Sequence, residues 1–387
     1  MESFRSLADI ARSKLRVFKS DFLLIALLEV AIVPAFIAAR LPFRIDLATF
    51  ISAYWGGTAA QAVFIAVILS VAGLSLERTL LPMWRSYRQQ KLRFLGLIFL
   101  GIWMIWLFGP WLGLIIVVDA LALAELLERR KHQFGTALLD VVVPSAYLFV
   151  GVLGVYLLNH AIAGIKFAGT YDRAFNRADV FLFGTTASAA SHWMATHLSK
   201  SFFSLMESVY RTLYGQIGAA IAITALFARR AYAMRYVRTL LSAYCLALVL
   251  FFLWPTIGPF AIRDAPPSDY TSFSSTYWMQ ETIVLKARLL WAHSLMPAVT
   301  TLDLADYYIG FPSMHVAIPL MTIWFLRKWR RIAFILLAFD FVMVVSIIAL
   351  DWHYFVDMFG GVLVAALAIF VTEKGKLFSR LYAGSKT

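Results

Sequence analysis

The sequence contains a single cysteine, Cys245, so no intramolecular disulfide can staple the fold. That thiol lies inside an apolar run and says nothing about redox compartment. Charge is scarce as well: Asp, Glu, Lys and Arg make up 15% of the 387 residues, against about 25% in soluble domains. Acidic residues are the scarcer sign, 22 against 35 basic, which leaves a formal net charge of +13. With 61% hydrophobic residues and a mean hydropathy of +0.77, this composition excludes an ordinary soluble globular chain. The short alternating segments of a transmembrane β-barrel are missing too, as are repeats and low-complexity stretches. The positive excess suits anionic lipid head groups rather than nucleic acid.

Long apolar runs are what the chain does have. Runs near 22–40, 57–76, 94–109, 111–127, 138–160, 213–228, 238–257, 314–326, 332–350 and 355–372 approach the length of a membrane-crossing helix. The third and fourth share the break at Gly109–Pro110 and read equally as one re-entrant hairpin. The expected fold is therefore all-α: a polytopic bundle of about ten transmembrane helices. It divides into an N-terminal four-helix region, 1–132, and a six-helix core, 138–372, followed by a tail, 373–387.

Basic residues give this bundle an orientation. The segments 1–20, 77–94, 128–133, 228–238, 327–331 and 373–387 hold 25 of the 35 Lys and Arg residues. The alternate segments share the rest, although 161–212 and 258–312 are the longest in the chain. The positive-inside rule then puts both termini in the cytoplasm and those two segments outside. The first span follows a basic arm and carries Glu29, and it reads as an uncleaved anchor; the small residues of "AFIAAR" leave cleavage as the other reading. The membrane is taken as a bacterial inner membrane, or a Golgi-type membrane in a eukaryote. The outer stretch 191–214 is read either as an amphipathic helix in the outer interface or as a helix packed over the bundle mouth. His192 and His197 within it are five apart, a poor spacing for a metal on one helix face. The prolines of "LWPTIGPF", 253–260, mark the turn out of the membrane.

Two clusters stand at the outer ends of adjacent spans. In "YYIGFPSMHVAIPLMTIW", 307–324, Pro312 and Ser313 suit a helix start and His315 follows. Free N–H groups and the positive dipole end make such a start an anion site. In "ALDWHYFVDMFGG", 349–361, His353 and Asp357 are four apart and share one helix face. A carboxylate so placed can hold the imidazole Nδ1–H and leave Nε2 as a nucleophile. Gly360 and Gly361 then permit close helix packing. Either cluster alone is weak, since interfacial histidines commonly cap or snorkel. Their convergence follows from Lys and Arg counts that never used the histidines.

"FPSMH", followed 38 residues after His315 by His353 and "HYFVD", resembles the type-2 phosphatidic acid phosphatase superfamily, and within it the inositolphosphotransferase branch that includes inositol phosphorylceramide synthase. The resemblance covers about 170–372 and leaves out the first four helices. It implies a metal-independent lipid phosphotransferase or lipid phosphate phosphatase with no cofactor, acting on a phospholipid or an isoprenoid or sphingolipid phosphate at the outer face. His353 is then the nucleophile that forms a phosphohistidine, Asp357 its orienter, His315 the acid and then the base, and Ser313 a holder of phosphoryl oxygens. The family's Ser-Arg pair falls on Ser346–Ile347, so its arginine is missing, and the family's Lys-six-Arg-Pro element is not recognisable. A phosphate still needs a cation. Lys286 and Arg288 are chosen over Arg263, Arg173 and Arg177, with interfacial anchoring as their alternative role. The branch leans toward head-group transfer.

A second reading is a transporter or flippase, suggested by Glu29, Asp119 and Asp340 inside spans, though the halves show no interrupted-helix repeat. A third is an inactive homologue. An accessory subunit or a second copy of the chain stays open as a partner.

Overall fold

The computed structural model describes residues 134–165, 170–291 and 310–384. The N-terminal region 1–132, with Glu29 and Asp119, lies outside the described residues. Ten α-helices occur among the described residues: α1 Phe134–Ile165, α2 Asp172–Phe183, α3 Ala187–His197, α4 Lys200–Arg211, α5 Leu213–Ala228, α6 Arg230–Leu253, α7 Ser274–Trp291, α8 Met314–Leu326, α9 Arg330–Ala349 and α10 Phe355–Gly384. Two 3-10 turns, Pro259–Ile262 and Pro267–Phe273, lie between α6 and α7. There is no strand among the described residues.

Three helices are long and apolar enough to cross a membrane: α6, α9 and the Phe355–Glu373 part of α10. The apolar Asp140–Val152 part of α1, α5 and α8 are shorter. All six fall on the apolar runs between 138 and 372. Helix α8 is central, packed against α5, α6, α9 and α10, while α6 also lies along α1. The core between them is built from Leu226, Tyr236, Leu240, Met321, Phe325 and Val364, all buried. The acid Asp340 on α9 accepts a hydrogen bond from Gln216 Nε2 of α5 at 2.7 Å, which is how a buried carboxyl is retained between apolar helices.

The stretch 191–214 is not one helix. It breaks at Leu198–Ser199, where Ser199 Oγ caps α4 through the Phe202 N–H. Helices α3 and α4 both pack on α9, and Phe203, Met206 and Val209 point inward from α4. The two helices thus pack on the bundle, α4 through these residues. The prolines of 253–260 do end α6, and the following backbone becomes part of the site floor.

Candidate active site

Helix α9 delivers the chain to His353 through a tight reversal. Asp351 N–H donates to Ile348 O at 3.0 Å and Trp352 N–H to Ile347 O at 2.9 Å, the paired bonds that close a helix around a left-handed residue. That residue is Asp351, with φ of 60°, a conformation that Asp tolerates better than most side chains. Four residues later α10 begins. Asp179 of α2 caps it, its carboxylate accepting from the Phe355 and Val356 N–H groups at 3.0 Å each and from Ala187 N–H of α3. His353 thus sits on a short bridge pinned at both ends.

The imidazole is fixed as well. His353 Nδ1 lies 2.8 Å from Gly310 O and 3.2 Å from Asp357 Oδ2. Both neighbours are acceptors, so Nδ1 carries the proton and the lone pair of the neutral ring sits on Nε2. Asp357 Oδ2 also accepts the Tyr354 N–H at 2.9 Å. Gly310 is held in turn by Thr256: its N–H donates to Thr256 O, and the Phe311 N–H donates to Thr256 Oγ1 at 2.7 Å. Asp172 of α2 steadies the next two residues, accepting from Ile257 and Gly258 N–H, and also takes the Tyr354 hydroxyl at 3.1 Å.

Opposite stands the start of α8. Ser313 occupies its N-cap position, but its hydroxyl makes no capping bond; Oγ is buried and unpartnered, as are His315 Nε2 and Asp357 Oδ1. Instead the Ser313 N–H donates to Asp357 O, which ties the two helix starts together. The His315 and His353 rings are 5.7 Å apart between centroids. His315 stacks on Tyr210 of α4 at 4.3 Å, and Tyr210 stacks on Trp352 at 5.5 Å, so the residue beside one histidine supports the other. A helix N-terminus, a buried hydroxyl and two imidazoles around one point can hold an oxyanion and move a proton to or from it.

Burial sets the state of the groups outside the spans. It pushes the Asp172 and Asp179 carboxyls up against the opposing pull of their N–H donors. It pushes Asp351 up to about 7, with Arg263 and Ser188 pulling the other way. It also raises the Tyr354 phenol, with Asp172 and Asp357 adding to the effect, so Tyr354 acts here as a neutral donor.

The four expected residues His353, Asp357, His315 and Ser313 come together. The side chains of Lys286 and Arg288 on α7 lie outside the described residues. Arg263 is only 3% exposed, paired with Glu281 at 2.9 Å and Asp351 at 3.6 Å and flanked by the Tyr270 and Tyr277 rings. It thus braces Asp351, two residues before His353. Ile347, which stands where the resemblance would put an arginine, is fully buried with Val316 and Ile348. Sequence reasoning missed Asp172, Asp179, Thr256, Tyr210 and Asp351. Only Asp351, an acid at the end of a span two residues from His353, carried a usable signal. Among the described residues no three His, Cys, Asp or Glu side chains are gathered as metal ligands.

A family model described as PAP2 superfamily matches residues 173–371, more than half of the chain. Searches of curated proteins and of solved structures found no match.

Proposed function

Because the chain belongs to the PAP2 superfamily, we propose that it is an integral membrane lipid phosphotransferase or lipid phosphate phosphatase working through a phosphohistidine at His353. The supporting observation is the His353 Nδ1–H held by Gly310 O and Asp357 while His315 stands 5.7 Å away on the other wall.

The steps follow from that geometry. His353 Nε2 attacks the lipid phosphorus and the bond to the leaving alkoxide breaks. Protonated His315 gives its proton to that oxygen. The free N–H groups at the start of α8 and the Ser313 hydroxyl bind the phosphoryl oxygens, where preorganised donors act on developing charge. The imidazole becomes cationic on phosphorylation, and Asp357 stabilises it. Neutral His315 then takes the proton of an incoming alcohol or water, whose oxygen attacks phosphorus as the P–N bond breaks. An alcohol acceptor gives transfer and water gives hydrolysis. The inositolphosphotransferase resemblance favours transfer to a head-group alcohol at the outer face, and Lys286 and Arg288 are proposed as the phosphate's cations.

The test uses purified protein in liposomes with phosphate-labelled phosphatidate, isoprenyl phosphate and phosphatidylinositol-type donors. Label should appear as free phosphate or on a new lipid with the wild type and not with His353→Ala. Equal activity of the two proteins, or none from either across these donors, would sink the proposal.

A further inference from the structure

Helix α2 changes character along its length. Its first eight residues carry Asp172 and Asp179, both buried against the site, and the exposed Arg173 and Arg177. Its end is different. Residues 180–185 are all exposed, and four of them are the large apolar Val180, Phe181, Leu182 and Phe183, with Phe181 87% accessible. Gly184, left-handed with φ of 72°, closes the helix, and nothing lies within 4 Å of where its Cβ would be. A run of this kind at a helix tip marks a surface with a partner.

Which partner is decided by what the tip adjoins. Phe183 packs its ring on Phe355 and Phe359 of α10, at 5.0 and 6.2 Å. Phe359 is itself 60% exposed, and Val362, Leu363 and Phe370 continue the exposed apolar face along this candidate membrane span. The tip is therefore continuous with the exposed apolar face of a candidate membrane span. Arg177 precedes Phe181 by one turn, about 6 Å along the axis at 1.5 Å per residue. That spacing sets a cation at head-group level and the aromatic ring below it, as in interfacial membrane anchors.

We propose that the tip of α2, Val180–Phe183, inserts into the bilayer leaflet that the site faces and anchors the catalytic bridge at head-group depth. The coupling is direct, since Asp179, the residue just before the tip, holds the start of α10 and Phe175 packs on Phe311 and Tyr354. The occupant is phospholipid, and the inference stands independently of the reaction assigned to the site.

The experiment places one nitroxide label at a time in full-length protein with Cys245→Ser, at Phe181→Cys, Leu182→Cys, Arg173→Cys and Arg177→Cys, in phosphatidylcholine vesicles. Collision with oxygen should exceed collision with a water-soluble nickel chelate at 181 and 182, with the order reversed at 173 and 177. Nickel-dominated collision at both 181 and 182 would put the tip in water and overturn the proposal. Labels immobilised and shielded from both reagents would put protein on the tip, either the N-terminal helices or a second copy, and would overturn it equally. The 181 and 182 side chains are exposed, so labelling removes no core contact, and Val180→Cys serves if either variant fails to assemble.

Discussion

His353 has two acceptors on one nitrogen, and they do different work. The Gly310 carbonyl, the nearer at 2.8 Å, fixes the tautomer by itself. In the proposed mechanism the Asp357 carboxylate adds charge and stabilises the positive ring formed on phosphorylation. Asp357→Asn should therefore keep the ring orientation and still lose turnover by ~10²–10³-fold, the range for removal of one electrostatic stabiliser. Initial rates at saturating substrate, beside His353→Ala as the zero, measure this. Asp351 gives a pH signature of another kind. Burial raises its folded pKa to about 7, above the roughly 3.9 of an unfolded Asp. The folded state thus binds this proton more tightly, and the stabilisation is complete below pH 4 and lost as pH rises toward 7. The thermal midpoint in detergent should fall across that window, and Asp351→Asn should flatten that part of the fall. An unchanged slope would remove Asp351 from the account.

Between helices, the site depends on how closely α10 approaches α8. A Cβ at Gly361 would collide with the Ser313 carbonyl oxygen and press on Val316 at 2.9 Å, and one at Gly360 would collide with the Phe311 ring. Gly361→Ala should cost ~1–3 kcal/mol, as overpacking does, and should displace Ser313, so activity falls further than the melting point suggests. Asp179→Ala removes the cap of α10 at a cost of about 1 kcal/mol and frees the bridge that carries His353. Rate and thermal midpoint measured together separate these two effects. This scale was partly legible in the sequence. Gly360 and Gly361 read directly as a close-packing pair, and His353 with Asp357 as one helix face, because both are local. The capping by Asp179, eight or more residues from any group it binds, and the stacking of Tyr210 on His315 depend on long-range packing that periodicity does not encode. The stretch 191–214 stayed open between two readings for the same reason: an apolar stripe looks alike whether it meets lipid or another helix.

For the whole molecule, composition and long apolar runs were enough to read an all-helical membrane protein, since burying that many apolar residues in a soluble core of this size is not feasible. The topology expected from Lys and Arg counts predicts that a reporter fused after Thr387 faces the cytoplasm while a cysteine at Ser268 reacts with an impermeant reagent from the other side. The phosphate's cation is carried by no recognisable motif, since the family's arginine position is occupied by buried Ile347, and Lys286 and Arg288 stand as the proposal. The proposed mechanism turns on one covalent bond, between His353 Nε2 and phosphorus. The measurement that tests it most directly is mass spectrometry of peptides spanning 353 after brief reaction with a lipid phosphate donor and quenching at alkaline pH, where phosphoramidates survive. A phosphoryl group on His353 in the wild type, absent from His353→Gln, is the predicted result. Turnover with no modification of His353 at any quench time would contradict the account.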